Sequence, residues 1–119
     1  MSIRRVVPDI STQDFAGSRE FYVGFLGFEV GMDMGFVTTF VSPDNPTAQV
    51  TVFRADSASA RQPGITIEVA DVDAIHAKAI ERGIEIVYPL TDEPWGVRRF
   101  FVVDPNGMVI NVMSHPQSN

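Results

Sequence analysis

Residues 91–112 read TDEPWGVRRFFVVDPNGMVINV, and this stretch decides the fold. Its two apolar segments, 98–103 and 108–113, are rich in the β-branched and aromatic residues that favour strands. The DPNG sequence at 104–107 predicts a tight turn, because its proline presets φ and the Asn-Gly pair tolerates positive φ. Asn111 is polar in the middle of an otherwise apolar strand, and this marks it as a candidate functional residue.

The same order of elements occurs earlier in the chain. Strand, helix and three strands are predicted twice, in residues 1–54 and 64–115, and the small and polar residues 55–63 form a linker. Aligning the turn at Asp44 with the turn at 104–107 places Thr51 opposite Asn111. The chain is therefore predicted to be a single α+β domain, 1–119, built from two pseudo-repeated βαβββ modules.

Helix boundaries are indicated by capping residues. Ser11 or Thr12 is predicted to cap the first helix, and Gly27 to end it in a left-handed conformation. Asp71 is predicted to cap the second helix, which ends at Gly83.

Composition excludes several classes of protein. The net charge of −6 does not suit a nucleic-acid partner, which demands a basic face, and mildly favours a cationic ligand over an anionic one. Solubility is the simpler explanation of this charge. The chain has no cysteine, which excludes disulfides and thiolate ligands, and no stretch resembles a signal peptide or a membrane span. We therefore expect a cytoplasmic protein without a membrane partner.

Alternation along the last strand of each module separates two faces. The aliphatic face should meet the helix, and the mixed face should line a ligand cleft. The mixed-face residues are Gln49, Thr51 and Phe53 in the first module and Asn111 and Met113 in the second.

These modules, with the motif Pro94-Trp95-Gly96-x-Arg98-x-Phe100 and the DPNG turn, resemble the vicinal oxygen chelate superfamily. The superfamily includes glyoxalase I, extradiol dioxygenases, and fosfomycin- and bleomycin-resistance proteins. The resemblance covers essentially the whole chain. It implies a cup-shaped, mostly antiparallel eight-stranded sheet and a homodimer whose two clefts bind small molecules.

Enzymes of this superfamily hold a divalent metal with His, Gln or Glu side chains on the first and last strands of each module. The corresponding positions in this sequence fall at about Arg5, Gly64, Thr51 and Asn111. Arginine has no free lone pair and glycine has no side chain, so we expect no catalytic metal and no other cofactor. An atypical divalent-metal site is not excluded by this reasoning.

Four other side chains are weaker metal candidates. His76 is expected to be a surface or packing residue, and His115 to lie in a frayed terminus. Glu68 and Asp9 lie in strands as possible cavity carboxylates, too few and too scattered to define a metal geometry.

Trp95 is the candidate for stacking on a planar or cationic ligand, and an equal alternative is a structural plug at the rim of the cup. Arg98 could bind an anionic group, although pairing with Glu93 or Asp104 is favoured. Arg5 completes the predicted ligand-binding set.

Two functions remain open, and a sensor or accessory module is a weaker third. The first is metal-free sequestration of a drug or metabolite, as in bleomycin resistance, a form of antibiotic resistance. The alternative is a glyoxalase-type lyase or isomerase, or a dioxygenase, with an atypical metal site.

Overall fold

The computed structural model describes residues 3–54 and 62–115, and it contains the eight strands and two helices expected of the α+β class. In chain order the elements are β1 Ile3–Thr12, α1 Phe15–Arg19, β2 Glu29–Asp33, β3 Val37–Val41, β4 Gln49–Arg54, β5 Ile65–Val69, α2 Val72–Arg82, β6 Ile86–Asp92, β7 Arg98–Val103 and β8 Val109–Ser114. Residues 55–61 of the predicted linker lie outside the described residues.

The chain divides into two compact units. The N-terminal unit comprises Val6–Ala60, and the C-terminal unit comprises Arg61–Asn119 together with Met1–Arg5. Within the N-terminal unit the strand order is β2-β3-β4-β1, and within the C-terminal unit it is β6-β7-β8-β5. In both units the last strand pairs parallel with the first and antiparallel with its hairpin partner. The predicted twofold βαβββ repeat is thereby confirmed.

The first helix differs from the prediction in its start and in its geometry. Its N-cap is Asp14, whose carboxylate accepts a hydrogen bond from the backbone N–H of Gly17 at 2.8 Å. Thr12 instead accepts from the backbone N–H of Asp14, one step outside the helix. After Arg19 the chain continues as a π-helix over Glu20–Phe25. The prediction of Ser11 or Thr12 as the cap was wrong, because both residues belong to β1.

Helix α2 packs on one face of the C-terminal sheet. Asp71 caps it by accepting from the backbone N–H of Ala74, and Gly83 ends it with φ of 66°, both as predicted. The buried core beneath it consists of Val69, Val72, Ala79, Phe100, Ile110 and Val112. Ile110 and Val112 belong to the aliphatic face of β8, so the prediction that this face meets the helix is confirmed.

A buried hydroxyl fixes where α2 begins relative to the sheet. Ser114, at the end of β8, accepts a hydrogen bond from the backbone N–H of Val72 and donates one to the carbonyl of Val69, both at 2.9 Å. Hydrogen bonding of buried polar groups is the rule in folded proteins, and here it joins β5, β8 and α2.

The turn between β7 and β8 forms at the predicted DPNG sequence. Gly107 adopts φ of 84°. No residue other than glycine has positive φ in the described chain, so of the Asn-Gly pair only the glycine uses the conformation that both residues tolerate. The Asp104 carboxylate accepts from the backbone N–H groups of Met108 and Asn106, and these bonds lower the pKa of Asp104.

Neither helix in residues 3–54 and 62–115 combines the length and apolar character that a bilayer span requires.

Candidate functional site

The candidate site lies on the side of the C-terminal sheet opposite α2. The register aligns Glu68, Met113 and Arg99 across β5, β8 and β7. One level further, Thr66, Asn111, Phe101 and Tyr88 are aligned across β5, β8, β7 and β6. We call these seven residues the polar face of the C-terminal unit. It brings together two of the predicted site residues, Asn111 and Met113.

Asn111 is buried at the centre of this face, with 7% of its surface exposed. Its amide nitrogen donates to the hydroxyl of Thr66 at 3.0 Å, whereas its Oδ1 has no hydrogen-bond partner in the described chain. The two ends of an amide are distinguished by their bonding network, and exchanging them would leave the nitrogen without an acceptor instead. An unsatisfied buried acceptor costs about 1–3 kcal/mol, so Asn111 is an unfavourable choice for stability alone.

Glu68 is the carboxylate at one edge of the polar face. It pairs with the guanidinium of Arg5, and its Oε2 lies 3.0 Å from Nδ1 of His115. Burial raises the pKa of Glu68, but the hydrogen bonds from His115 and Arg5 outweigh it and leave this pKa below its ordinary value. His115 is therefore tied to the sheet by this contact, contrary to the expectation of a frayed terminus. Arg5 acts here as a partner of Glu68.

Arg99 lies at the other edge of the polar face, and sequence reasoning missed it. Its Nε donates to Oε2 of Glu93 at 2.7 Å, and the same oxygen accepts from the hydroxyl of Tyr88. The guanidinium carbon lies 5.3, 5.1 and 4.9 Å from the ring centroids of Tyr88, Trp95 and Phe101. These distances are typical of cation–π contacts. The face of the Trp95 ring is thus engaged with a cation of the protein itself.

Trp95 remains about half exposed. Sequence reasoning gave equal weight to ligand stacking and to a structural plug. In the structure one face of the ring contacts the guanidinium of Arg99. Phe101 and Tyr88, which stack at a centroid separation of 4.6 Å, were also missed. Counting back from the DPNG turn pairs Arg99 with Met113 and Phe101 with Asn111, so hairpin register was the signal that could have found them.

Arg98 lies on the opposite face, beside α2. Its guanidinium pairs with Asp73 of α2 at 2.8 Å and with Asp92 at 3.0 Å. The hydrogen bond with Asp73, followed by that with Asp92, raises the pKa of Arg98. The same hydrogen bond from Arg98 lowers the pKa of Asp73. The favoured alternative of structural pairing is therefore correct in kind, but the expected partners, Glu93 and Asp104, were wrong. Arg98 does not belong to the polar face.

The equivalent face of the N-terminal unit is less strongly charged. Thr51 shares a hydrogen bond of 2.9 Å with Thr39, its neighbour in register. Gln49 donates to the carbonyl of Pro46, and Phe53 is half-buried opposite Ser11 in β1. Asp9 is the register partner of Thr51. The predicted role of Gln49, Thr51 and Phe53 in ligand binding stays a prediction.

The repeat shows which positions of the two units correspond. The N-cap Asp14 of the first unit corresponds to the N-cap Asp71 of the second. With the same offset Asp9, the register partner of Thr51, corresponds to Thr66, the register partner of Asn111. The same offset pairs Gly64 with Val7, so Gly64 and Arg5 are not equivalent positions, contrary to the expectation from the sequence.

A metal does not fit the side chains at these four positions. Val7 is a buried aliphatic residue, and a Cβ at Gly64 would lie 2.7 Å from the sulfur of Met108. Thr51 and Asn111 supply only neutral oxygens, which are weak ligands for a transition metal. Within the described ranges, no group of three or more His, Asp or Glu side chains is placed to hold a metal ion. His76 contacts Phe100 edge-on at 4.9 Å, which is a packing role.

Comparison with known proteins agrees with this architecture. The family model described as Glyoxalase/Bleomycin resistance protein/Dioxygenase superfamily matches residues 3–112. No match was found among curated proteins.

Several solved structures share the fold. A superfamily member from Vibrio splendidus 12B01 is 20% identical with a TM-score of 0.73, over 95% of this chain and 99% of that one. Methylmalonyl-CoA epimerase from Streptomyces coelicolor, in complex with 2-nitronate-propionyl-CoA, is 21% identical with a TM-score of 0.73, over 98% and 100%. The epimerase from Mycobacterium tuberculosis is 20% identical with a TM-score of 0.69, over 97% and 88%. At these identities the likeness establishes the fold alone.

Proposed function

Because the chain belongs to the glyoxalase/bleomycin resistance protein/dioxygenase superfamily, we propose that it binds a small organic molecule on the polar face of the C-terminal unit, without a catalytic metal. The observation that carries this proposal is the partnerless Oδ1 of Asn111 at the centre of the face. A ligand that donates a hydrogen bond to this oxygen, after a small local rearrangement, would remove the cost of leaving it unsatisfied.

The surroundings of Asn111 suit a ligand with polar and apolar parts. Met113 and Phe101 are its apolar neighbours on the face, while Thr66 supplies a hydroxyl. Small-molecule sites usually combine such apolar walls with a few fixed polar groups. Sequestration of a drug or metabolite, as in antibiotic resistance, is the form of binding that needs no further chemistry.

A second candidate function is acid–base catalysis, and the contact between His115 and Glu68 favours it. A carboxylate on Nδ1 orients an imidazole and leaves Nε2 available to take a proton. Such a pair suits a lyase or isomerase that removes a proton from carbon, and it gives no support to a dioxygenase. Methylmalonyl-CoA epimerase, whose structure is similar, is an example of an enzyme with this architecture.

We further propose that the protein is a cytoplasmic homodimer. The N-terminal unit exposes several large apolar side chains, among them Phe21, Phe25, Leu26, Met32 and Phe36. Exposed apolar surface of this extent is typical of interaction sites, and a second copy of the chain is the partner that the superfamily implies. Light scattering at several concentrations tests this, with Phe25→Asp expected to give a monomer and Lys78→Asp, on α2, expected to leave the dimer intact.

The proposed binding is tested with untagged protein. Metal content is measured first, followed by titration with Ni²⁺, Mn²⁺, Fe²⁺ and Zn²⁺. A library of small organic molecules is then screened by the fluorescence of Trp95, the single tryptophan. We expect substoichiometric metal and at least one saturable ligand whose affinity falls in Asn111→Leu. Stoichiometric metal, or ligands that bind Asn111→Leu equally well, would overturn the proposal. Turnover of a bound ligand that is lost in His115→Gln would favour the second candidate.

A further inference from the structure

We infer that the ligand of the polar face is a planar organic anion, whose carboxylate is bound by the terminal amino groups of Arg99. This inference rests on the proposed function and specifies the chemical class of its ligand. It reverses the mild preference for a cationic ligand that the acidic composition suggested.

Arg99 has more hydrogen-bond donors than its protein partners use. A guanidinium has five N–H donors in a rigid plane, and only the Nε–H is used, by Glu93. In the described part of the chain neither terminal amino group of Arg99 donates a hydrogen bond to a protein acceptor. The Arg99 side chain is 22% exposed, so part of it is in contact with solvent. Two parallel N–H groups match the two oxygens of a carboxylate.

Arg99 is held in place before any ligand arrives. Glu93, whose side chain is 8% exposed, fixes the Nε edge, and the rings of Tyr88, Trp95 and Phe101 surround the plane of the guanidinium. A fixed arginine loses little conformational entropy on binding, which favours affinity.

The charges around Arg99 favour an anionic ligand over a cationic one. On one face of Trp95, Arg99 already occupies the position that a cationic ligand would take. The two carboxylates nearby are both paired, Glu93 with Arg99 and Tyr88, and Glu68 with Arg5 and His115. A cation would therefore compete with existing ion pairs, whereas an anion would complete the donors of Arg99. The half-exposed ring of Trp95 provides contact for a planar apolar group.

The test uses three probes of nearly the same planar shape and different charge: benzoate, benzamide and benzamidine. Each is titrated into the full-length protein while the fluorescence of Trp95 is followed. We expect saturable binding of benzoate, at least tenfold weaker binding of benzamide, and the weakest response to benzamidine. In Arg99→Met the benzoate affinity should fall at least tenfold, and in Arg99→Lys by a smaller factor, because lysine keeps the charge but loses the two-pronged geometry.

Arg98→Met is the matched control, since it removes the adjacent arginine from the opposite face and should leave benzoate binding unchanged. Arg99→Met leaves the carboxylate of Glu93 without its counter-ion and could therefore fail to fold. The double variant Arg99→Met/Glu93→Gln removes that charge and allows the same binding test. NMR of the wild-type arginine side chains gives a second readout, in which benzoate should shift the guanidinium signal of Arg99 and not that of Arg98.

Equal or tighter binding of benzamidine, unchanged benzoate affinity in the Arg99 variants, or no response to benzoate would overturn the inference. If benzamide binds as well as benzoate and the affinity falls in Asn111→Leu, the proposed small-molecule site stands while its anion preference fails. If neither these probes nor the screened library bind, both fail.

Discussion

Arg98 and Arg99 are consecutive in β7, yet their guanidinium groups lie on opposite faces of the C-terminal sheet. Arg98 pairs with two exposed aspartates beside α2, whereas Arg99 pairs with the buried Glu93 among aromatic rings. Ion pairs between exposed side chains contribute little to stability, because solvent screens them. Removing one member of a buried pair is costly, because the other charge is left uncompensated.

We therefore predict that Arg99→Met lowers the free energy of unfolding by about 2–3 kcal/mol, somewhat less than for a fully buried pair because Arg99 is partly exposed. Arg98→Met should lower it by much less. Urea denaturation measures both. The double variant Arg99→Met/Glu93→Gln should recover part of the loss. Equal losses in the two single variants would show that burial of Glu93 does not decide the cost.

The unsatisfied oxygen of Asn111 leads to a prediction for a variant that lacks it. Asn111→Leu loses the hydrogen bond to Thr66, worth about 1 kcal/mol, but also removes a buried acceptor that costs a similar amount. We expect the free energy of unfolding to change by no more than about 1 kcal/mol. Asn111→Asp, of the same shape, should be clearly more destabilising because it buries a charge. A loss of about 3 kcal/mol or more in Asn111→Leu would show that Oδ1 has a structural partner.

The contacts of Glu68 predict part of the acid dependence of stability. Its pKa in the folded protein is lower than the ordinary 4.5, so the folded state binds this proton less readily than the unfolded state. The stabilisation is therefore present above pH 4.5 and is lost as the pH falls through the lower, folded pKa. Glu68→Gln should flatten the acid limb of a plot of stability against pH. Glu81→Gln, on the exposed side of α2, serves as the control and should leave that limb unchanged.

Gly107 gives a prediction about the turn of the last hairpin. Its φ of 84° is strained for any residue with a Cβ, although a Cβ there would meet no atom within 4 Å. Gly107→Ala should therefore destabilise the protein by about 1–2 kcal/mol through backbone strain alone. Gly107→Asn should cost less, because asparagine tolerates the left-handed conformation. Thermal unfolding of the two variants compares them, and equal costs would contradict a conformational origin.

Much of the fold could be predicted because local signals agree with the tertiary structure. Asp71 and Gly83 cap α2 by mechanisms that short sequence patterns reveal, and β7 has the predicted bounds. The first helix was harder, because Asp14 competes with Thr12 for the cap and the π-helical continuation has no simple sequence signature. Strand β6 continues past Pro89 to Asp92 because the register shifts between Tyr88 and Thr91 accommodate it.

The candidate site was predicted less completely. Asn111 was found because asparagine is depleted in strands, and Met113 because it shares the same face. Arg99 was missed because neighbouring arginines look alike in sequence, and only pairing across the hairpin assigns each to a face. Gly64 was matched with Arg5 because each precedes the first predicted strand of its module, whereas alignment of the N-caps Asp14 and Asp71 pairs Gly64 with Val7.

The assignment of residues 1–5 to the C-terminal unit matters for anyone who recombines these modules. The repeated sequence segments suggest a cut within residues 55–63, but the fragment that begins there keeps His115 and lacks Arg5, the guanidinium partner of Glu68. A C-terminal half made alone, or exchanged with that of a related protein, would carry an acidic side chain whose counter-ion stays on the other piece. A chimera that preserves the unit must take the first five residues from the same parent as residues 61–119.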